Sequence, residues 1–290
     1  MNPLIDVSEA SELIRGGAAV RVLDCRATLG EPAAGLAAWT GGHIPTAIHA
    51  DLETELSMPG PPTAGRHPLP DDAHFSRTMS RWGVTPETWL IAYDAGDSAY
   101  AARAWWLATR AGHVRTRVIG GGVRAWQRAG LSMQVGDSSS SITPTNRVLA
   151  FDRSATIDAD ALAALLENEA VVLLDARARE RFLGEVEPID SMAGHIPGAH
   201  NRPYARNLED GLFKSPERLR DEFEALMPGV AASNVVHMCG SGVTACHNLL
   251  AMDLAGLIGS RLFAPSWSGW IADPDRPIAM GGDSQKTLAL

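Results

Sequence analysis

An internal duplication constrains the fold of this chain more than any other feature of its sequence. An Asp-x-Arg motif that follows a short apolar run begins at Asp24 and recurs at Asp175, 151 residues later. A Gly-His-Ile-Pro motif contains His43 and recurs with His195, 152 residues later. Two further pairs of landmarks recur at offsets of 145 and 144 residues, namely Asp94 with Cys239 and Trp126 with Trp270. Such nearly constant offsets indicate two copies of one domain.

A polar segment separates the two copies. Its centre holds four consecutive serines, Ser138 to Ser141. A stretch of this composition cannot bury enough apolar surface to fold by itself and is typical of a linker. The sequence therefore predicts a first domain at residues 1–133, a linker at residues 134–155 and a second domain at residues 156–290.

Short apolar runs alternate with helical patterns in each copy. Residues 20–23, 90–93 and 235–238 are rich in Val, Leu and Ile and are typical of buried strands, whereas residues 100–111 have a helical pattern. This alternation predicts an α/β fold in which each copy is a parallel sheet flanked by helices on both faces. Reactive groups in such sheets lie at the carboxyl ends of strands, where Cys239 is expected.

Cys239 begins the run Cys-Gly-Ser-Gly-Val-Thr, which lies between a predicted strand and a predicted helix. Two glycines let the backbone curl so that several N–H groups converge, and a helix N-terminus adds partial positive charge. Both effects favour the thiolate, which is the nucleophilic form of cysteine. The alternative is a packed cysteine in a glycine-containing turn. We predict a nucleophile at Cys239 and an anion-binding loop formed by Gly240, Ser241, Gly242, Val243 and Thr244.

The first copy carries Asp94 at the position of Cys239. A carboxylate repels anionic substrates, and the loop around Asp94 lacks a nucleophile. The second copy is therefore expected to be catalytic, and the first copy to be a non-catalytic scaffold that helps to form a cleft.

Composition excludes several classes of function. The net charge of −9 and the lack of any run of basic residues argue against nucleic-acid binding. No apolar stretch approaches the length of a membrane span, and the first residues do not resemble a signal peptide. Three cysteines do not form a disulfide framework in a chain of this length, so we expect a cytoplasmic protein.

The paired motifs, the cysteine loop and the late Ser-Trp-Ser-Gly-Trp segment at residues 266–270 together resemble the two-domain rhodanese and 3-mercaptopyruvate sulfurtransferase family. The resemblance covers nearly the whole chain and implies two tandem rhodanese-like domains. It implies that a sulfane sulfur moves from a donor to Cys239, forms a persulfide, and passes to a thiophilic acceptor such as cyanide, a thiol or thioredoxin. No metal or organic cofactor is implied.

The donor implied by the resemblance is 3-mercaptopyruvate or thiosulfate. The loop is similar to that of mercaptopyruvate enzymes, because thiosulfate enzymes typically place basic residues where this chain has Gly240 and Ser241. A dianion such as thiosulfate benefits from fixed cations near the sulfur, whereas the charge of mercaptopyruvate lies away from its thiol. We favour mercaptopyruvate and keep thiosulfate as the alternative.

The resemblance also implies further site residues. Ser241 is expected to work with a histidine and an acid of the first domain, carried over here as His43 and an unidentified carboxylate, of which Glu31 is the nearest upstream. Arg181 is expected to anchor the donor, aided by Arg177. Mercaptopyruvate enzymes add a second arginine nine residues later, and this chain departs from that pattern.

This chain has Asp190 at the position of that second arginine. In this respect the chain resembles thiosulfate-preferring enzymes. Two other functions share parts of this pattern. Cysteine phosphatases of this fold need an arginine near the end of the loop, and none is present between Gly240 and Asn248. A persulfide carrier for a protein partner, without turnover of small donors, would share Cys239.

Several other polar residues are expected to be structural. A duplicated histidine is more often structural than catalytic, and we expect His195 to bond backbone near a turn. Cys25 and Cys246 are expected to be packed in the core. The spacing of the histidines and cysteines around Cys239 matches no zinc site.

Overall fold

A computed structural model describes residues 2–136 and 142–282, so the serine run at the centre of the predicted linker lies outside the described residues. The chain divides into two compact units. The first unit comprises Met1–Pro59, Leu69–Arg153 and Leu208–Lys214. The second unit comprises Gly60–Pro68, Ser154–Asn207 and Ser215–Leu290. The short segment Gly60–Pro68 therefore belongs, by its contacts, with the second unit although it comes early in the chain.

The first unit is built on a five-stranded parallel sheet. Its strands are β1 (Leu4–Ile5), β2 (Val20–Asp24), β3 (Ile48–His49), β4 (Trp89–Tyr93) and β5 (Thr116–Ile119). The order across the sheet is β1-β5-β4-β2-β3, and every pairing is parallel. The helices are α1 (Val7–Arg15), α2 (Ala34–Gly41), α3 (Asp72–Arg81), α4 (Ala101–Arg110) and α5 (Gly122–Arg128). The predicted strands and the helix at residues 100–111 are confirmed.

The second unit repeats this plan with a four-stranded parallel sheet. Its strands are β6 (Val172–Asp175), β7 (Ala199–Asn201), β10 (Val235–Met238) and β11 (Arg261–Leu262). The hairpin of β8 (Leu208–Glu209) and β9 (Leu212–Phe213) comes between them in the chain but belongs by its contacts to the first unit. The order across the sheet is β11-β10-β6-β7, and the hairpin lies apart from it. The helices are α6 (Ala159–Glu167), α7 (Arg179–Leu183), α8 (Pro216–Leu226), α9 (Ala245–Leu254) and α10 (Ser266–Trp270).

Local sequence explains where several helices begin. The carboxylates of Asp6, Asp71 and Asp158 each accept a hydrogen bond from the backbone N–H three residues later and cap α1, α3 and α6. Ser215 caps α8, whose first residue is Pro216. The helix α9 has no side-chain cap, and in its first turn the N–H groups of Cys246 and His247 donate to the carbonyls of Val243 and Thr244.

The Asp-x-Arg motif forms the same ion pair in both units. Arg26 donates to both carboxylate oxygens of Asp24 and to the Gly42 carbonyl. Arg177 binds Asp175 in the same way. Such bidentate pairs fix the end of each strand against the next loop. The duplication is therefore structural as well as sequential.

The end of the predicted linker packs against α3 of the first unit. Thr145 N–H donates to the Ser80 carbonyl at 3.1 Å, and Leu149 N–H donates to the Ser76 hydroxyl at 3.0 Å. Phe151 N–H donates to the Asp72 carboxylate at 3.0 Å. Residues 145–151 are thus held by α3. No helix in the described part of the chain has the length and apolarity needed to cross a membrane.

Candidate active site

Cys239 directly follows β10 and lies in the loop that leads to α9. Its side chain is buried, with 2% of its surface exposed. The Gly242 N–H donates to Cys239 Sγ at 3.1 Å, and the Cys239 N–H donates to the hydroxyl of Ser266 at 3.1 Å. The sulfur is thus a hydrogen-bond acceptor for its own loop. The predicted nucleophile therefore lies at the carboxyl end of a central strand.

The loop has backbone N–H groups to offer an anion. Gly242 has a φ of +79°, and a Cβ at this position would lie 2.5 Å from the Ala264 carbonyl oxygen, so the curl requires glycine. Within residues 2–136 and 142–282, no acceptor is found for the N–H groups of the following loop residues: Gly240, Ser241, Val243 and Thr244. An anion on the Cys239 sulfur would lie beside these donors.

The segment Gly60–Pro68 packs against the start of α10. A Cβ at Gly65 would lie 2.4 Å from the Pro265 carbonyl oxygen, and a Cβ at Gly269 would lie 2.8 Å from the Thr63 carbonyl oxygen. The Arg66 N–H donates to the Ser268 hydroxyl at 3.0 Å. Two glycines thus allow the backbones to touch, and this contact brings Arg66 and the next residue to the cysteine loop.

That next residue, His67, binds the loop serine. His67 Nδ1 lies 2.7 Å from Ser241 Oγ, and both side chains are buried. The resemblance implies a histidine of the first domain without locating it, and His67 lies in no motif. No sequence signal singles it out, because His74 and His113 also lack an equivalent histidine in the second copy.

His43, the histidine predicted for this position, lies instead in the core of the first unit. Its Nδ1 is 2.8 Å from the Trp39 carbonyl oxygen, and its ring stacks on Trp39 at 4.8 Å. His195 does the same with Phe182, at 2.8 Å to the carbonyl and 3.8 Å between rings. The two duplicated histidines therefore make equivalent packing contacts. Glu31, the carboxylate considered as a partner for His43, is exposed.

Arg181, the predicted donor anchor, is held by two carboxylates. Its Nη2 lies 2.7 Å from Glu187 Oε1 and 3.0 Å from Asp190 Oδ2. The other oxygen of Asp190 lies 2.5 Å from Arg66 Nη1. Asp190 therefore bridges two guanidinium groups. A Cβ at Gly240 would lie 3.3 Å from Arg66 Nη2 and 3.6 Å from Arg181 Nη1, so both cations flank the first loop glycine.

Arg177, the predicted second anchor, lies deeper and is 3% exposed. It binds Asp175 and the Gly194 carbonyl, and its guanidinium lies 4.8 Å from the ring centre of Trp267. Its Nη1 is 3.5 Å from Glu187. This arrangement makes Arg177 a support for Glu187 rather than an exposed anchor.

Glu187 joins the two arginines electrostatically. Burial alone would raise the pKa of this carboxyl, but hydrogen bonds from Arg181 and from the backbone of Asp190 and Ile189 outweigh it and lower the pKa. Glu187 is therefore ionised at neutral pH and fixes the orientation of Arg181.

The thiols of Cys25 and Cys246 both donate to backbone carbonyls. All three cysteines are buried as thiols. Cys246 Sγ donates to the Gly242 carbonyl at 3.4 Å, and Cys25 Sγ donates to the Leu23 carbonyl at 3.8 Å. Burial raises the pKa of Cys25 well above its usual value, which makes that thiol inert. The described residues contain no group of three or more metal-binding side chains.

The equivalent loop of the first unit is filled by its own carboxylate. Asp94 Oδ1 accepts the N–H groups of Gly96 and Ser98 at 2.9 and 3.0 Å. Its Oδ2 accepts those of Tyr100 and Ala101 at 3.0 and 3.2 Å. These N–H groups have an acceptor within the chain and are not offered to a substrate.

Comparison with known proteins agrees with this geometry. A family model described as Rhodanese-like domain matches residues 6–129 and again residues 158–273. The chain is 47% identical over 263 residues to a Pseudomonas aeruginosa protein named "Probable 3-mercaptopyruvate sulfurtransferase", covering 90% of this chain and 92% of the relative. It is 39% identical over 285 residues to a Mycobacterium tuberculosis protein named "Putative thiosulfate sulfurtransferase SseB", covering 96% of this chain and 97% of the relative.

A solved structure gives the same result for the fold. The crystal structure of SseA from Escherichia coli, described as a 3-mercaptopyruvate sulfotransferase, matches with a TM-score of 0.80 and 29% identity, covering 92% of this chain and 99% of that chain. Both copies of the duplicated sequence match the family model, and the loop of the second copy presents a cysteine at the carboxyl end of its sheet. The chain is thus a two-domain member of the rhodanese family of sulfurtransferases.

Proposed function

We propose that Cys239 carries the transferred sulfur as a persulfide and that 3-mercaptopyruvate is the preferred donor. The observation that supports this most directly is the cysteine loop. Its thiol receives the Gly242 N–H at 3.1 Å, and further N–H groups of the loop have no acceptor within the described residues. These donors stabilise the thiolate before transfer and the persulfide anion after it.

The proposed first step forms one bond and breaks one bond. The Cys239 thiolate attacks the donor sulfur, a sulfur–sulfur bond forms, and the carbon–sulfur bond of mercaptopyruvate breaks. The electron pair of the broken bond passes to the carbon of the leaving group, and the proton of the donor thiol ends on that carbon to give pyruvate. The acceptor then attacks the outer sulfur and restores the thiolate, so the kinetics are double displacement.

We propose that Ser241 and His67 move this proton. Their 2.7 Å hydrogen bond is next to the nucleophile in the loop, and it supports replacing His43 by His67 as the partner of Ser241. A proton relay is needed for mercaptopyruvate, whose donor sulfur carries a proton. It is not needed for thiosulfate, whose sulfur–sulfur bond breaks to release sulfite. This difference favours mercaptopyruvate.

Thiosulfate remains the second candidate because of one specific observation. The loop itself lacks basic residues, yet the guanidinium groups of Arg66 and Arg181 flank Gly240. Fixed cations beside the loop are what a dianionic donor needs. The relative named as a thiosulfate sulfurtransferase is also similar over nearly the whole chain.

We further propose that the first domain, residues 1–133, is a scaffold joined to the catalytic domain by residues 134–155. The internal acceptor at Asp94 supports a non-catalytic role. Cyanide, a thiol or thioredoxin is proposed as the acceptor, and a cytoplasmic location is proposed because all three cysteines are thiols.

The deciding experiment measures kcat/KM for mercaptopyruvate and thiosulfate side by side, with cyanide as acceptor. We expect a higher value with mercaptopyruvate, and no turnover of either donor by Cys239→Ser. A higher value with thiosulfate would contradict the donor assignment. Turnover of neither donor, with sulfur still accepted from a protein, would indicate a carrier.

A further inference from the structure

Arg66 occupies an unusual position for a residue so far from the cysteine loop in sequence. It belongs to the segment Gly60–Pro68, whose contacts place it in the second unit. Its backbone N–H is fixed by the Ser268 hydroxyl at 3.0 Å, and its Nη1 lies 2.5 Å from Asp190. Arg66 is therefore fixed at its backbone and at its guanidinium group.

The donor groups of Arg66 are only partly used. Its Nε is buried and has no hydrogen-bond acceptor among the described residues. Its Nη2 is the atom that lies 3.3 Å from the Cβ position of Gly240. A guanidinium has N–H bonds on all three nitrogens, so the face of Arg66 toward Gly240 retains donors for an anion.

Arg181 presents the matching group from the other side. Its Nη2 is engaged by Glu187 and Asp190, whereas its Nη1 lies 3.6 Å from the same Cβ position. Asp190 binds Arg66 through Oδ1 and Arg181 through Oδ2. One carboxylate thus holds two guanidinium groups at a fixed separation beside the residue that follows the nucleophile.

A Cβ at residue 240 would make a slightly tight contact with Arg66, at 3.3 Å, and an ordinary contact with Arg181, at 3.6 Å, so the glycine leaves the space beside both guanidinium groups open. Two fixed guanidinium groups with open donors suit an oxyanion that has at least two oxygens, such as a carboxylate or the sulfonate-like end of thiosulfate.

We propose that Arg66 is a donor-binding residue that forms, with Arg181, a two-arginine clamp for the oxyanion of the sulfur donor. Asp190 is the positioning residue that holds the clamp. The inference rests on the proposed function of Cys239 and deepens it by naming what selects anionic donors. It also explains how a chain with Asp190 in place of an arginine retains two cations at this site.

The test compares Arg66→Gln with the wild type for both donors. Losing one charge-assisted hydrogen bond raises the donor KM by about tenfold to a hundredfold, with kcat at saturation changed by less than about threefold. Arg66→Lys keeps the positive charge and loses the bidentate guanidinium, so its donor KM should lie between those of the wild type and Arg66→Gln. The matched control is Arg117→Gln, which breaks an ion pair of the same 2.5 Å length in the first unit and leaves KM unchanged.

Pyruvate provides a binding measurement that does not depend on turnover of mercaptopyruvate. It has the same carboxylate and no sulfur, so it should inhibit thiosulfate turnover competitively. Its inhibition constant should rise in Arg66→Gln by the same factor as the mercaptopyruvate KM. A rise in KM for mercaptopyruvate alone identifies a carboxylate clamp, and a rise for thiosulfate alone identifies a clamp for its oxygens.

A donor KM within twofold of wild type for both donors in a folded Arg66→Gln protein would overturn the clamp. A lower kcat with unchanged KM would also overturn it. If Arg66→Gln fails to fold, the donor KM of Arg66→Lys is measured instead, and a KM within twofold of wild type for both donors would overturn the clamp. Failure of the clamp leaves Cys239→Ser inactive, whereas failure of the proposed function leaves Cys239→Ser active, so the two are distinguishable.

Discussion

The two strand-to-helix loops of this molecule occupy equivalent positions in their units and differ in what accepts their backbone N–H groups. In the first unit, the Asp94 carboxylate accepts four backbone N–H groups of its own loop. In the second unit, the Cys239 thiol accepts the Gly242 N–H, and other loop N–H groups find no acceptor among the described residues. One loop is satisfied internally and the other is available to an anion.

The backbone next to the two loops is matched at two points. The Val123 N–H donates to the Asp94 carbonyl at 2.9 Å, as the Trp267 N–H donates to the Cys239 carbonyl at 3.0 Å. The residues just before these donors, Gly122 and Ser266, both have a φ of +53°. Both copies thus share these backbone features. The catalytic loop differs from the non-catalytic loop in having Cys239 where the first copy has Asp94, and in the side chains that lie around it.

Replacing Cys239 should have the largest effect. Cys239→Ser is expected to lower kcat/KM for either donor by about 10³-fold or more, because serine cannot form the persulfide. Cys246→Ser is the matched control, since it is also buried and should retain activity. Asp94→Cys in the Cys239→Ser background should not restore turnover. Restored turnover would show that the first loop needs only a thiol, and the comparison would fail.

The relay should have the next largest effect, and it should depend on the donor. Ser241→Ala and His67→Gln are each expected to lower kcat/KM for mercaptopyruvate by about 10²-fold, the lower end of what a positioned acid–base group contributes. Thiosulfate turnover should fall far less. Equal losses with both donors would contradict a proton-relay role and indicate that the 2.7 Å hydrogen bond only shapes the loop.

Asp94 should matter for stability rather than for catalysis. Burial and the nearby Asp97 raise the pKa of Asp94, and hydrogen bonds from Gly96, Ala101 and Tyr100 oppose the rise. Asp94→Ala removes the acceptor of four N–H groups and is expected to lower the free energy of unfolding by about 2 to 3 kcal/mol. Asp94→Asn keeps one oxygen and should cost less. Denaturant unfolding measures both, and an undiminished stability in Asp94→Ala would refute the internal-acceptor account.

The duplicated histidines should have the smallest effect. His43→Gln and His195→Gln each lose a ring stack and weaken a hydrogen bond to a carbonyl, so each should lower the free energy of unfolding by about 1 kcal/mol. Donor KM and kcat should stay within about twofold of wild type. A selective loss of mercaptopyruvate turnover in His43→Gln, without a change in unfolding, would return His43 to the relay.

The fold was accessible from sequence because its signals are local and occur twice. The apolar runs that form β2, β4 and β10, the glycines of the loop and the repeated Asp-x-Arg motif lie within short stretches of chain. The nucleophile was accessible for the same reason. Cys239 directly follows a strand and precedes Gly240, so the residues that indicate a nucleophile are adjacent in the sequence. The predicted family, fold and sulfur-transfer activity are confirmed by the comparisons.

The other half of the site was not accessible because it depends on packing between distant segments. His67 and Ser241 are 174 positions apart, and Arg66 and Asp190 are 124 apart. No motif marks the segment Gly60–Pro68, and its placement depends on the close contacts that Gly65 and Gly269 allow. The resemblance implies only that a histidine of the first domain partners Ser241, and nothing in the local sequence distinguishes His67 from His43 for that role.

Mass spectrometry after a single exposure to donor tests the central claim most directly. Wild-type protein is mixed with mercaptopyruvate in the absence of an acceptor, digested without reductant, and compared with Cys239→Ser and Asp94→Cys. The account predicts one added sulfur atom on the peptide that contains Cys239 in the wild type and in Asp94→Cys, and none in Cys239→Ser. Added sulfur on Cys25, on Cys246 or on the cysteine introduced at residue 94, with Cys239 unmodified, would contradict it.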